Sequence, residues 1–294
     1  MKIRPVILCG GAGTRLWYNS KNHQAKQFID FGNWTLLGKT LERTKASIYD
    51  APIISTNKKY LTKVKQHLRK NKINKYKIVV EPAKRNTAPA ILSTALIKDI
   101  PDNQPLMFFT ADHLIEKMSI FNKAINKNKS NLNENNIFVF GIKPKSPTSD
   151  YGYFLSKKIK GSINKVTRFI EKPKEAKAKE IIRKSGYWNS GMFYLRKDSI
   201  INNFKKYNPT IYRNCITAVN KAKYKSNIYH LNKASFIKAT AKSFDYAILE
   251  KTKEIALSAR LRRNRERLAR IQADGRRSHK QTYRLAPQTI HRSL

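Results

Sequence analysis

An α/β fold on a mainly parallel sheet flanked by helices is what this chain of 294 residues predicts. Short β-rich runs alternate with helical patterns from residue 3 onward, so the apolar period switches repeatedly between about 2 and about 3.6. A glycine-dense loop follows the first apolar run, where an open parallel sheet collects ligands. A hydrophobic content of 40% is enough for a proper core, in one large domain or two small ones.

Strands are expected at 3–9, 52–56, 77–80, 106–110 and 137–141, each a short apolar or β-branched run bounded by turn signals. Between them Leu36, Leu37, Thr40, Leu41 and Thr44 fall at helical spacing, as do Ala90, Ile91, Thr94, Ala95 and Ile97. After residue 143 the pattern changes: Pro144, Pro147, Gly152 and Gly161 punctuate shorter strands at 151–159 and 164–170, followed by a charged helix over about 174–184. This reads as a small inserted β-rich lobe on the substrate side, spanning about 143–240. Helices are expected near 198–207, 209–222 and 243–252, and no internal repeat is visible.

The formal net charge of +42, from 61 Lys and Arg against 19 Asp and Glu, suggests a polyanionic partner until its distribution is read. Residues 1–254 hold 41 Lys and 9 Arg, whereas 255–294 hold 1 Lys and 10 Arg, so two unrelated compositions meet near 255. In the first segment the lysines are dispersed rather than gathered, which is the pattern of a solvated surface, and no specific nucleic acid is expected. Cys9 and Cys215 have no paired spacing, so a reducing, cytoplasmic setting is expected. No apolar stretch approaches the ~20 residues of a membrane helix, and the run at 6–9 is too short for a signal-peptide core.

The run Val6-Ile7-Leu8-Cys9 passes directly into Gly10-Gly11-Ala12-Gly13-Thr14-Arg15. Without Cβ atoms at Gly10, Gly11 and Gly13 the backbone can turn successive N–H groups toward one point, and Arg15 adds charged donors, so the loop suits a phosphate. It is neither a P-loop nor a dinucleotide fingerprint; taken alone, it also fits a plain tight turn. Because ligands gather beyond the carboxyl ends of parallel strands, Asp112 and His113, after the strand at 106–110, belong beside this loop. Asp112 is a candidate Mg²⁺ ligand or, alternatively, a helix N-cap. His113 is given no catalytic role.

The chain resembles the sugar-1-phosphate nucleotidyltransferases of the mannose-1-phosphate guanylyltransferase type over residues 1–254. The resemblance is carried by Gly10 to Trp17, Ala25-Lys26-Gln27-Phe28, Glu81 to Ala90, Ala111 to Ile115, Tyr151-Gly152-Tyr153, Phe169 to Pro173, Trp188 to Phe193 and Phe244-Asp245-Tyr246-Ala247, in family order. It implies a Rossmann-like fold, GTP and mannose 1-phosphate as partners, Mg²⁺ as cofactor, and in-line attack of the sugar phosphate on the α-phosphorus. A homo-oligomer is left open.

The resemblance implies that Arg15, Lys26 and Lys172 are the catalytic cations. Gly10, Gly11, Gly13, Thr14, Glu81, Arg85, Asn86 and Thr87 would meet the nucleotide, Gly152, Glu171 and Asn189 the sugar, and Asp112 the metal. Thr87 also suits the N-cap of the following helix.

The chain departs from the pattern at Cys9, Tyr18 and Ala25, where serine and two prolines are usual; each lost proline raises the ordering cost of the loop by roughly 0.4–1 kcal/mol. A larger departure follows residue 254, where the family's strand and aspartate-containing turn give way to Ser258-Ala259-Arg260-Leu261-Arg262-Arg263. Residues 255–294 therefore read as an Arg-rich tail, foreign, frameshifted or fused, without the family's second metal carboxylate. Low turnover with substrate binding retained is the expectation. The alternatives are a non-catalytic sugar-nucleotide-binding protein and a basic polyanion binder.

Overall fold

The computed structural model describes residues 1–11, 25–115, 117–158 and 164–261. Five strands, β1 (Arg4–Leu8), β2 (Ile53–Asn57), β3 (Lys77–Glu81), β4 (Pro105–Thr110) and β5 (Ile137–Ile142), alternate with helices α1 (Leu36–Arg43), α2 (Leu61–Lys70), α3 (Thr87–Ala95) and α4 (Met118–Lys127). β4, β1, β2 and β3 lie side by side and parallel. Consecutive strand residues face opposite sides: Val6, Ile53, Val79 and Phe108 pack on one face with α3, and Ile7, Ile54, Ile78 and Phe109 on the other with α1, α2 and α4. Both faces are covered, which is why these strands read as continuous apolar runs.

The β-rich excursion after residue 143 comprises β6 (Tyr153–Lys158), β7 (Asn164–Ile170), α5 (Glu175–Arg183) and β8 (Tyr187–Arg196). It is continuous with the main sheet. The C-terminal half of β8 pairs antiparallel with β4 and β5, and its start pairs with β6, so one strand joins both regions. The lobe expected over 143–240 accordingly ends near 196. Beyond it α6 (Lys197–Tyr207), α7 (Pro209–Asn220), β9 (Lys223–Lys225), β10 (Ile228–His230) and α8 (Lys233–Phe236) return to the main layer. There Ile200, Phe204, Ile211 and Cys215 pack with α3 and the main-sheet side chains, and β10 extends the parallel sheet beyond β3.

The helix expected at 243–252 is a π-helical turn, Asp245–Leu249. The compositional break at 255 does not coincide with a structural one. β11 (Ile255–Leu261) lies between β5, to which it is parallel, and β7, to which it is antiparallel. Ile255 and Leu257 are buried, so this stretch belongs to the sheet rather than to a tail. The pairings β8–β5, β5–β11, β11–β7, β7–β6 and β6–β8 close a circuit. Among the described residues no helix is long and apolar enough to cross a membrane.

Candidate active site

β1 and β4 pair in parallel with Leu8 opposite Thr110, so Gly10 and Gly11 leave the sheet at the same edge as Asp112. Lys26 and Gln27 form a single 3-10 turn between β1 and α1. Both are buried there: Gln27 Nε2 donates to the Gly11 carbonyl at 2.9 Å, and Lys26 Nζ stands 3.2 Å from Asp112 Oδ2. Asp112 is not a helix cap, because α4 begins at Met118 after Lys117. Burial alone would push the Asp112 carboxyl up; the His113 ring and the Lys26 ammonium outweigh it and hold the pKa below the usual carboxylate value. The buried Arg43 donates to the His113 carbonyl and pins the segment that carries Asp112. Gly13, Thr14 and Arg15 lie outside the described residues.

At the end of β3 the buried Glu81 accepts from Ser55 Oγ at 2.7 Å, and burial pushes its carboxyl up to about 7. A Cβ on Gly10 would come 3.1 Å from Glu81 Oε1, so the glycine is what lets this carboxylate lie against the loop. Arg85 donates to the Ile237 carbonyl. The cap expected of Thr87 belongs to Asn86, which adopts a left-handed backbone (φ 66°) and accepts from the Thr87 N–H at 2.9 Å. Thr87 Oγ1 instead accepts from the Phe244 N–H at 2.9 Å, tying this segment to the π turn.

The sugar-side candidates converge. Glu171 and Lys172 follow β7. Lys172 has φ 47°, a strained backbone for a non-glycine residue and one that clusters at functional sites. Its Nζ is 3.1 Å from Glu171 Oε1 and 5.8 Å over the Tyr246 ring. A Cβ on Gly152 would collide with Glu171 Oε2 and come 2.9 Å from Phe169 Cζ. The Gly152 carbonyl accepts from the Asn189 N–H at 2.7 Å. Asn189 Nδ2 donates to Asp245 Oδ1 at 2.6 Å, and Asn189 Oδ1 accepts from the Gly191 N–H at 3.0 Å.

Gly152, Glu171, Lys172, Asn189 and Asp245 line a cavity of about 170 Å³ together with His113. His113 is thus a shared wall between the Lys26–Asp112 pair and the sugar-side residues. Sequence reasoning gave Asp245 no role. Burial, then the adjacent Glu171, pushes its carboxyl up to about 7, against a backbone hydrogen bond, Lys172 and Asn189.

The model of the family described as nucleotidyl transferase matches residues 4–234. The chain is 34% identical to the alginate biosynthesis protein AlgA of Pseudomonas fluorescens over 84% of its length and 53% of that protein's. It is 35% identical to a mannose-1-phosphate guanylyltransferase of Klebsiella pneumoniae over 84% of its length and 54% of that protein's. Among solved structures it is similar to a mannose-6-phosphate isomerase from Helicobacter pylori, with TM-score 0.75 and 28% identity over 88% of this chain and 97% of that one. It is also similar to a mannose-1-phosphate geranyltransferase from Thermus thermophilus, with TM-score 0.73 and 25% identity over 88% and 74%. The chain spans about half the length of the curated relatives it matches. With a family model covering most of the sequence, and relatives more than 30% identical over more than two thirds of it, the chain belongs to the nucleotidyl transferase family.

Proposed function

We propose that this chain binds GTP and mannose 1-phosphate and transfers the guanylyl group between them, giving GDP-mannose and pyrophosphate. The observation that carries the reading is the shared wall: His113 stands beside Asp112 and also lines the cavity that holds Glu171, Lys172 and Asn189. In this reading the sugar phosphate occupies that cavity and the nucleotide lies beside Gly10, Gly11 and the Lys26–Asp112 pair. The sugar phosphate oxygen attacks the α-phosphorus, the bond from that phosphorus to the bridging oxygen breaks, and pyrophosphate leaves with the electron pair. No covalent enzyme intermediate or strong base is required, since the attacking oxygen is already anionic; the protein's work is alignment and charge neutralisation.

Lys26 and, by resemblance, Arg15 serve the triphosphate, and Lys172 the sugar phosphate, with Glu171 and Asn189 on sugar hydroxyls. Glu81 sits where it can accept from a base edge. Asp112, ionised and offering hard oxygen donors, fits Mg²⁺, which takes one or two carboxylates and completes its shell with phosphates and water. The ion would neutralise charge on the triphosphate. No cluster of three His, Cys, Asp or Glu suited to a metal occurs among the described residues, and the residues after Leu261 are Arg262-Arg263-Asn264. With Asp112 as the one carboxylate this reading assigns to the ion, the expectation is weak cation affinity and slow turnover, with binding retained. Cys9 and Cys215 are buried and unpaired, in keeping with a cytoplasmic setting.

The test is pyrophosphate release from GTP by the purified chain with saturating mannose 1-phosphate and Mg²⁺. The reading expects sugar-dependent release well below the ~10 s⁻¹ typical of enzymes, abolished in K172M. Binding of both substrates with no release points to the non-catalytic alternative. Release at an ordinary rate overturns the impairment, and isomerisation of mannose 6-phosphate in place of release overturns the reading.

A further inference from the structure

Asp245 has no task in the mechanism above, yet it lines the sugar-side cavity and touches the residue that would read the sugar. It opens a π-helical turn, an irregularity frequent at functional sites. Its Oδ1 accepts from Asn189 Nδ2 at 2.6 Å while the Gly191 N–H donates to Asn189 Oδ1 at 3.0 Å. Those two contacts fix the amide. Turned over, it would set its N–H against the Gly191 N–H whether Asp245 is ionised or protonated. The remaining amide N–H and lone pair are left for a sugar hydroxyl, in one orientation only.

We propose that Asp245 is the positioning residue of the sugar subsite and that, because it shares this cavity with Glu171, it makes binding of a sugar 1-phosphate take up a proton. The proposal rests on the functional reading above. The groups around Asp245 are Glu171, which repels its charge, Lys172, which favours it, and the neutral Asn189. Glu250 at the end of the same turn accepts from the Glu171 N–H, and His113 and Asp150 complete the titratable lining of the cavity. Burial and Glu171 already hold Asp245 up to about 7. An incoming phosphate adds negative charge and raises it further, so at pH 7.5 to 8.5 the complex holds a proton that the free protein has partly lost.

Calorimetric titration of the full chain with mannose 1-phosphate, at pH 7.5 and 8.5 and in two buffers of different ionisation enthalpy, reads this directly. In that range the phosphate is already largely dianionic, its second pKa being about 6. The wild type is expected to take up a substantial fraction of a proton per sugar and to lose several-fold in affinity across the interval, tenfold being the limit for one proton. D245N keeps an acceptor for Asn189 and is expected to bind with no uptake and a flat profile, whereas D245A loses affinity at both pH values. E171Q, which leaves Asp245 in place and removes its like-charged neighbour, should move the linkage to lower pH. Binding without uptake in the wild type, or uptake unchanged in D245N, overturns the inference and leaves the functional reading standing. Absence of heat with both mannose 1-phosphate and GDP-mannose overturns the functional reading and the inference with it.

Discussion

Replacing Gly152 by alanine tests the sugar-side geometry with a single methyl group. The new Cβ would collide with Glu171 Oε2 and lie 2.9 and 3.2 Å from the Phe169 ring edge, where ordinary contacts begin at 3.4 Å. Glu171 cannot yield freely: its N–H donates to Glu250, its Oε1 pairs with Lys172, and its side chain is 8% exposed. Gly152 cannot yield freely either, because its carbonyl accepts from the Asn189 N–H. Relief therefore takes a shift of up to about 1 Å in the Glu171 carboxylate. Overpacking of this kind costs about 1–3 kcal/mol, and a misplacement near 1 Å in a positioning group costs about 10²-fold.

The assay is calorimetric affinity for GDP and for GDP-mannose, alongside thermal unfolding. G152A should lower the melting temperature by several degrees, at about 2–4 °C per kcal/mol for a domain of this size. It should also erase the affinity that the mannosyl group adds, leaving GDP binding intact. G11A is the stability control, since a Cβ there meets nothing within 4 Å. An unchanged ratio of GDP-mannose to GDP affinity in G152A would refute the placement of the sugar beside Glu171.

Three further outcomes follow from named groups. Glu81, pushed up to about 7 by burial, holds its proton in the folded state while the unfolded chain releases it from about 4.5, so this group's contribution falls as pH rises between those values. E81Q keeps an acceptor for Ser55 and should gain up to roughly 3 kcal/mol at pH 8 and nothing at pH 4; equal effects at both pH values in denaturant titrations would refute the burial argument. K26M removes the cation that pairs with Asp112, and GTP affinity should fall roughly 10- to 100-fold, the range of a charge-assisted bond, while GDP-mannose retains its mannosyl increment. R43M removes a buried cation that has no ion-paired carboxylate among the described residues, so stability should change little while the Mg²⁺ concentration needed for tight GTP binding rises; an unchanged Mg²⁺ titration would show that the contact to His113 does not position Asp112.

The parallel half of the fold is legible because its strands are buried on both faces. Apolar runs at 3–9, 52–56, 77–80, 106–110 and 137–141 stand within a residue or two of β1 to β5. α2 and α4 are not legible because each buries only two side chains, Val64 with Leu68 and Phe121 with Ile125, among lysines and asparagines that hide the period. β8 is hidden for a different reason. Its Asn189-Ser190-Gly191 reads as a turn, and in the structure it is the irregularity of the strand, where pairing with β5 shifts register between Asn189 and Phe193 and Gly191 has φ 72°. β11 is masked by the change in composition, since its partner β5 lies more than a hundred residues earlier.

In the candidate site, the positions of Asp112, Lys26, Glu171, Lys172, Gly152 and Asn189 are legible from motif and strand-end logic. The local contacts of Asn86 and Thr87 are not, because a left-handed residue and a tie to Phe244 decide them. Asp245 lies within a motif named from the sequence, but its contact with a residue 56 positions away depends on a π turn that the sequence does not announce.

If nucleotide and sugar phosphate meet across His113 in one crevice, the affinities for GTP, mannose 1-phosphate and GDP-mannose must be coupled in a definite way. They are to be compared in wild type, K26M, K172M and the double variant. K26M is expected to weaken GTP alone among the separate substrates, K172M to weaken mannose 1-phosphate alone, and GDP-mannose to suffer from both and most from the double. If GDP-mannose binds no more tightly than GDP and ignores K172M, the two halves do not form one site.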